Sequence, residues 1–176
     1  MRKQIVPDII LGIDPATAKP LGIGHYYPRS KTWYSELVEF SFIDKWLEYE
    51  SFNGRDRTDL RTLFAVIEDY PDIPRFRACL SAARAVERAI KRVFPGRRSK
   101  VRRILPQSWR KAMLGKGNLR RADAEVATLQ RARLLIPGIT NIDEATGLLL
   151  AEYGVDLVKR GLPLETKKAK GKRGKR

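Results

Sequence analysis

The 176-residue chain predicts an α/β domain built on a five-stranded mixed sheet with helices on both faces. Three observations carry that expectation. The first half is written in short apolar runs bounded by turns, the second half in helical periodicity, and the two kinds of segment alternate in the middle.

Taken in order, Asp8-Ile-Ile-Leu-Gly-Ile-Asp14 is a nearly continuous apolar run ending in an acid, the pattern of a central strand covered on both faces. The turn Pro15–Pro20 leads into a strand over Leu21–Tyr27, and Pro28-Arg-Ser leads into another over Thr32–Phe42, which makes a three-stranded meander. A short helix is expected from Ile43 to Glu50, broken at Asn53-Gly54. Arg61–Glu68 is the next apolar strand, again closed by an acid. A long helix follows from Pro74 to Phe94. Arg77, Arg84, Arg88 and Lys91 fall on one face of it, and Ala82, Val86, Ala89, Ile90 and Val93 largely on the other. Ala82, Ala83, Ala85 and Ala89 form a small-residue stripe that suits core packing or close approach of a partner helix. Pro95-Gly96 stops that helix, Val101–Leu105 supplies the fifth strand, and helices fit at Ser108–Leu114, Arg121–Leu135 and Ile142–Arg160. There is no internal repeat.

Composition narrows the class. Lys and Arg number 36 against 20 Asp and Glu, so the chain carries +16 at neutral pH. Residues 1–74 are net −3, residues 75–103 net +10 with Glu87 as the one acid, residues 110–121 net +5, and residues 122–164 net −2. The tail, 165–176, is net +6 and has almost nothing apolar to bury, so it is expected to be a disordered basic extension of a single domain over 1–164. Positive charge on this scale points to a polyanion, most often nucleic acid, although a charge run can also be a solvated face. Like charges stacked on one helix face repel one another, which favours a bound anion. Cys79, the single cysteine, excludes a disulfide framework and points to a reducing compartment. No apolar run approaches the roughly 18 residues of a membrane span, and no signal peptide is legible, so a cytoplasmic location and no membrane partner are expected.

Two acids stand at strand ends, Asp14 and Glu68, where open α/β sheets gather their active groups. Paired carboxylates there invite a cation, and oxygen ligands without a His or Cys cluster favour Mg²⁺ or Mn²⁺ over zinc. Each acid taken alone is also consistent with a helix cap or a solvated strand end. Asp143 is a third candidate, in Asn141-Ile-Asp-Glu-Ala-Thr-Gly. There Asn141 and Glu144 have capping-box spacing, and an acid in the first turn suits the helix dipole.

Leu11-Gly-Ile-Asp14-Pro15 with Gly22, Ala65-Val-Ile-Glu68, Leu105-Pro-Gln-Ser-Trp-Arg110 with Gly115-Lys-Gly117, and Asp143 through Gly154, in that order, resemble the RuvC-type Holliday junction resolvases, especially compact phage-like forms. The resemblance spans roughly Leu11 to Gly154. It implies an RNase H-like fold and a homodimer that nicks opposed strands of four-way or branched DNA in a bacterial or phage-infected cell. It also implies two Mg²⁺ or Mn²⁺ ions per site, with Asp14, Glu68 and Asp143 as the catalytic, metal-binding acids. By the same resemblance Arg110 and Arg121 approach the scissile phosphate, with Lys111, Lys116 and Arg120 around them and Arg84 and Arg88 along the duplex. Either Tyr70 or Pro71 beside it falls where the family places an aromatic wedge. One departure stands out. The family's last helix offers a second metal-binding residue where this chain has Thr146. On a helix, positions 143 and 146 lie about 60° apart, whereas Glu144 turns about 100° away and is a poor substitute. The alternatives are therefore a catalytically impaired junction-binding protein of the same fold, or an RNase H-like nuclease with another branched or hybrid substrate. An actin-like ATPase would share Gly12-Ile-Asp14 but needs far more chain.

Overall fold

A computed structural model describes residues 6–15, 20–53 and 56–161, with only the backbone at 52–53, 56–60 and 97. The expected tail over 165–176, and Ala16–Lys19 of the first turn, lie outside the described residues. The strands are β1 (Ile9–Asp14), β2 (Leu21–Tyr27), β3 (Thr32–Val38), β4 (Phe52–Asn53), β5 (Asp56–Leu60), β6 (Leu63–Glu68) and β7 (Ser99–Ile104); the helices are α1 (Ile43–Ser51), α2 (Arg77–Val93), α3 (Pro106–Leu114), α4 (Arg121–Ala132) and α5 (Ile142–Lys159).

Five strands form one sheet in the order β3-β2-β1-β6-β7. The β1–β2 and β2–β3 pairs are antiparallel, while β1–β6 and β6–β7 are parallel, so the sheet is mixed as expected. The two continuous apolar runs became its centre, β1 and β6, because both of their faces are covered. Ile9, Leu11 and Ile13 face a core closed by Leu47 of α1 and Ala83, Val86 and Ile90 of α2. Ile10, Phe64 and Val66 face a second core with Trp109 of α3, Ala132 of α4 and Leu148 of α5.

The meander ends sooner than the expected Thr32–Phe42. Val38 pairs with Leu21, the first residue of β2, so the ladder has no partner beyond it, and Phe40–Phe42 form a 3₁₀ turn with both phenylalanines exposed. The fourth strand, expected from Arg61, begins at Leu63, since Thr62 is held by Asp8 Oδ2 through its N–H and hydroxyl, both at 2.8 Å. Between them β4 and β5 make a two-stranded hairpin where only a break was expected. Helix α2 begins at Arg77, after a 3₁₀ turn over Pro74–Phe76. It buries Leu80, Ala82, Ala83, Val86, Ala89 and Ile90, and leaves Arg77, Arg84, Arg88 and Lys91 outside, as its periodicity predicts. Ala83 and Ala89 of the stripe pack into the chain's own core, while Ala85 is only partly buried. Helix α3 starts two residues earlier than expected, with Pro106 at its first position, and stops at Gly115, whose φ of 76° is the left-handed cap. Among the described residues no helix is long and apolar enough to cross a membrane.

Candidate active site

Strands β1 and β6 run parallel with Ile13 opposite Ile67, so the residues that follow, Asp14 and Glu68, emerge side by side at one end of the sheet. Alternation puts both on the α5 face, in phase with Ile10 and with Phe64 and Val66. Asp143 is delivered by α5, and three strand glycines set how closely. Gly12 pairs with Gly24, and Gly22 with Asp14. A Cβ at Gly22 would lie 1.9 Å from the Asp143 carbonyl oxygen, at Gly12 2.1 Å from that of Gly147, and at Gly24 2.3 Å from Leu148 Cα. The glycines make a trough in which the helix backbone rests directly on the strands. Asn141 fixes the helix start, its Oδ1 accepting from the N–H groups of Asp143 at 2.8 Å and Glu144 at 3.1 Å. The cap is therefore as expected, but the Glu144 carboxylate accepts from Ser35 Oγ at 3.2 Å, turned toward β3.

These acids share a cleft of about 770 Å³ with Thr146, Tyr70, Arg75, Arg110 and Arg121 in its lining. Glu68 is 3 % exposed. Its Oε1 accepts from Trp109 Nε1 at 2.7 Å and its Oε2 from the Tyr70 hydroxyl at 2.5 Å, while an Arg110 terminal nitrogen stands 4.0 Å from Oε1. Arg110 Nε is buried with no hydrogen-bond partner. Arg121 is exposed and donates to Glu125 at 2.8 Å. Tyr70 does not stand out as a wedge in this conformation. Its ring lies 5.5 Å from that of Phe76 and its hydroxyl points into the acids, where burial, then the charges of Glu68 and Asp14, push its ionisation far upward and keep it a donor. Lys111, Lys116 and Arg120 are exposed and do not line the cleft, and Arg84 and Arg88 are exposed on α2, on the other side of the sheet. Arg84 stands 3.9 Å from Asp72, and Arg120 pairs with Asp123.

The Asp14 carboxyl is held well above the ordinary carboxylate range, by burial first, then by the charges of Glu68 and Asp143, with Arg110 opposing. Three acids thus crowd a partly buried space. Among the described residues no three His, Cys, Asp or Glu side chains are drawn close enough to hold one ion between them. Yet the donor chemistry fits a hard divalent cation. The set is all oxygen, its like charges repel, and Asp14, Glu68 and Asp143 all project into the same cleft. Thr146, 7 % exposed, adds a hydroxyl and no charge.

Trp109 and Arg75 are parts of this region that sequence reasoning did not single out. Trp109 was visible as the aromatic residue of Pro106-Gln-Ser-Trp-Arg110, and Arg75 as the first residue of the basic stretch.

No protein-family model matches the sequence, and no curated protein matches it. Solved structures that share its architecture include two of RuvC. The Thermus thermophilus RuvC structure is 14 % identical, with a TM-score of 0.59 over 87 % of this chain and 96 % of that one. T. thermophilus RuvC in complex with Holliday junction substrate is 12 % identical, with the same TM-score and coverage. At those identities the likeness speaks for the fold, and with the mixed sheet and its order of elements it makes this chain an α/β protein of the RNase H-like, RuvC-like fold.

Proposed function

We propose that the chain is a metal-dependent endonuclease that nicks opposed strands of four-way or branched DNA, working as a pair of identical subunits. The observation that carries the reading is the convergence of Asp14, Glu68 and Asp143 in one cleft walled by Arg110 and Arg121. Carboxylates that repel one another beside guanidinium groups fit a scissile phosphate accompanied by cations. Asp14, Glu68 and Asp143 would hold two Mg²⁺ or Mn²⁺ ions, which supply the charge that activates water and stabilises the leaving 3′ oxygen in phosphodiester hydrolysis. Arg110, whose part-exposed guanidinium lines the cleft, is suited to a phosphate oxygen. Arg121 at the rim can exchange Glu125 for a second one. The solved RuvC complex with a Holliday junction substrate supports the choice of substrate class.

Incubation with labelled four-way junction, flap and duplex DNA in Mg²⁺ and in Mn²⁺ tests the reading. Paired symmetric nicks in the junction are expected, and Asp14→Asn should abolish them; undiminished cutting by that variant would remove Asp14 from the chemistry.

A second reading, a junction-binding protein with impaired catalysis, rests on Thr146, the uncharged residue that lines the cleft one helical turn from Asp143. Junction binding without nicking in either metal, with cutting gained by Thr146→Asp, would favour it.

A further inference from the structure

Trp109 is 0 % exposed, packed with Ile104, Ala132 and Leu148 in the core beneath α5. Its indole has a single polar atom, which can only donate. That N–H reaches Glu68 Oε1 at 2.7 Å. The face of the same ring carries the Arg110 guanidinium, 5.3 Å from the ring centroid, and Arg110 stands 4.0 Å from the same Oε1. One rigid side chain anchored in the core therefore sets a carboxylate with its edge and a guanidinium with its face.

We infer that Trp109 is the positioning residue of this cleft, orienting Glu68 for a divalent cation and Arg110 for a phosphate; the inference rests on the metal-nuclease reading above. The kind of donor matters. Other acids of the chain are held by cations: Asp69 by Arg103 at 3.4 Å, and Glu152 by Arg131. An arginine in such a position cancels the carboxylate's charge. The two donors that bond Glu68 directly, Trp109 on Oε1 and Tyr70 on Oε2, are neutral and fix the plane of the carboxylate without cancelling its charge, which Arg110 offsets only from 4.0 Å. A tryptophan needed only to fill the core would require a partner for its N–H, but that partner need not be an acid in the cleft.

The test uses the full chain. Trp109→Phe keeps an aromatic ring in the core and removes the donor. Its Mn²⁺ affinity, measured calorimetrically without DNA, should fall about 10–100-fold, the usual cost of losing a partner of a ligating group. Far-UV dichroism checks that the variant is folded. In the wild type, the indole N–H resonances of Trp33 and Trp46 are identified by their loss in Trp33→Phe and Trp46→Phe, and the remaining one belongs to Trp109. It should move on Mg²⁺ titration with the midpoint of binding. Unchanged Mn²⁺ affinity in folded Trp109→Phe, or a Trp109 resonance indifferent to Mg²⁺ that demonstrably binds, overturns the inference and leaves the nuclease reading standing. A wild-type chain that binds neither ion and cuts no junction overturns that reading and the inference with it. If Trp109→Phe does not fold, the resonance titration decides alone.

Discussion

Asp14 is a side chain under heavy electrostatic load. It is partly buried beside two other acids, with Arg110 as the opposing charge, and its carboxyl resists ionisation for those reasons. A group whose proton is held more tightly in the folded state stabilises the fold at low pH, and that stability is lost as the pH rises through its folded value. Asp14→Asn removes the group that resists ionisation and keeps the shape. The variant should therefore melt higher than the wild type at pH 7 without added metal, by about 2–4 °C for each kcal/mol relieved, while losing cleavage. A melting curve at or below the wild type's would show that the crowding is not felt. Glu36 has the opposite sign. The contact with His25, whose Nε2 is 3.0 Å from Glu36 Oε1, is the first cause holding its carboxyl below the usual 4.5. Its stabilisation is present above 4.5 and lost as the pH falls through the lower folded value. Glu36→Gln should flatten that acid limb in urea titrations between about pH 5 and 3, and an acid limb identical to the wild type's would dismiss the pair. Neither effect was legible beforehand in full. Asp14 was picked out by its place after an apolar run, but its crowding depends on β1 and β6 being neighbours. Glu36 and His25 meet only across the β2–β3 ladder.

At the scale of elements, the seating of α5 decides whether there is a site at all. Its first turn reaches Asp14 because Gly12, Gly22 and Gly24 leave no side chains beneath it. Gly22→Ala would force a methyl group to within 1.9 Å of the Asp143 carbonyl oxygen, and backbone cannot step aside as a flexible side chain does. The expected cost is at or beyond the ~3 kcal/mol upper end for overpacking, read as a shift of the urea midpoint, with loss of cleavage as Asp143 moves away. Gly138→Ala, where nothing lies within 4 Å, is the control and should be near neutral. A Gly22→Ala variant as stable and as active as the control would show that α5 is not pinned there. The order of the main elements was readable because apolar runs and helical periodicity are local properties. The trough was not, since a strand glycine shows only that something comes close, and here the partner is a helix some 120 residues further on. The β4–β5 hairpin escaped for a different reason: Asp-Arg-Thr-Asp-Leu offers no apolar alternation to betray a strand.

For the whole molecule the decisive quantity is the placement of charge. Residues 1–74, which supply Asp14 and Glu68, are net −3, while 75–103 and 110–121 are net +10 and +5. The fold turns this linear division into a spatial one. The acids sit in the cleft at the end of the sheet, and α2, covering the opposite face, holds Arg77, Arg84, Arg88 and Lys91 outward. Lys91 is paired with Glu87 within its own helix, and Arg84 reaches only as far as Asp72 at 3.9 Å, between two exposed side chains. Exposed pairs of that kind are worth little, so exchanging them for phosphates costs little. If α2 tracks a duplex arm, each phosphate it neutralises adds about −0.9 to the slope of log K against log salt. Removing Arg84 and Arg88 together, as Arg84→Ala/Arg88→Ala, should make that slope shallower by about 1.8 for a two-contact loss. Both side chains are solvent-facing, so the fold and the metal cleft should be unaffected, and cleavage at saturating DNA should hold. A slope equal to the wild type's would return α2 to the status of a solvated face and confine DNA contact to the cleft and its rim on α3 and α4.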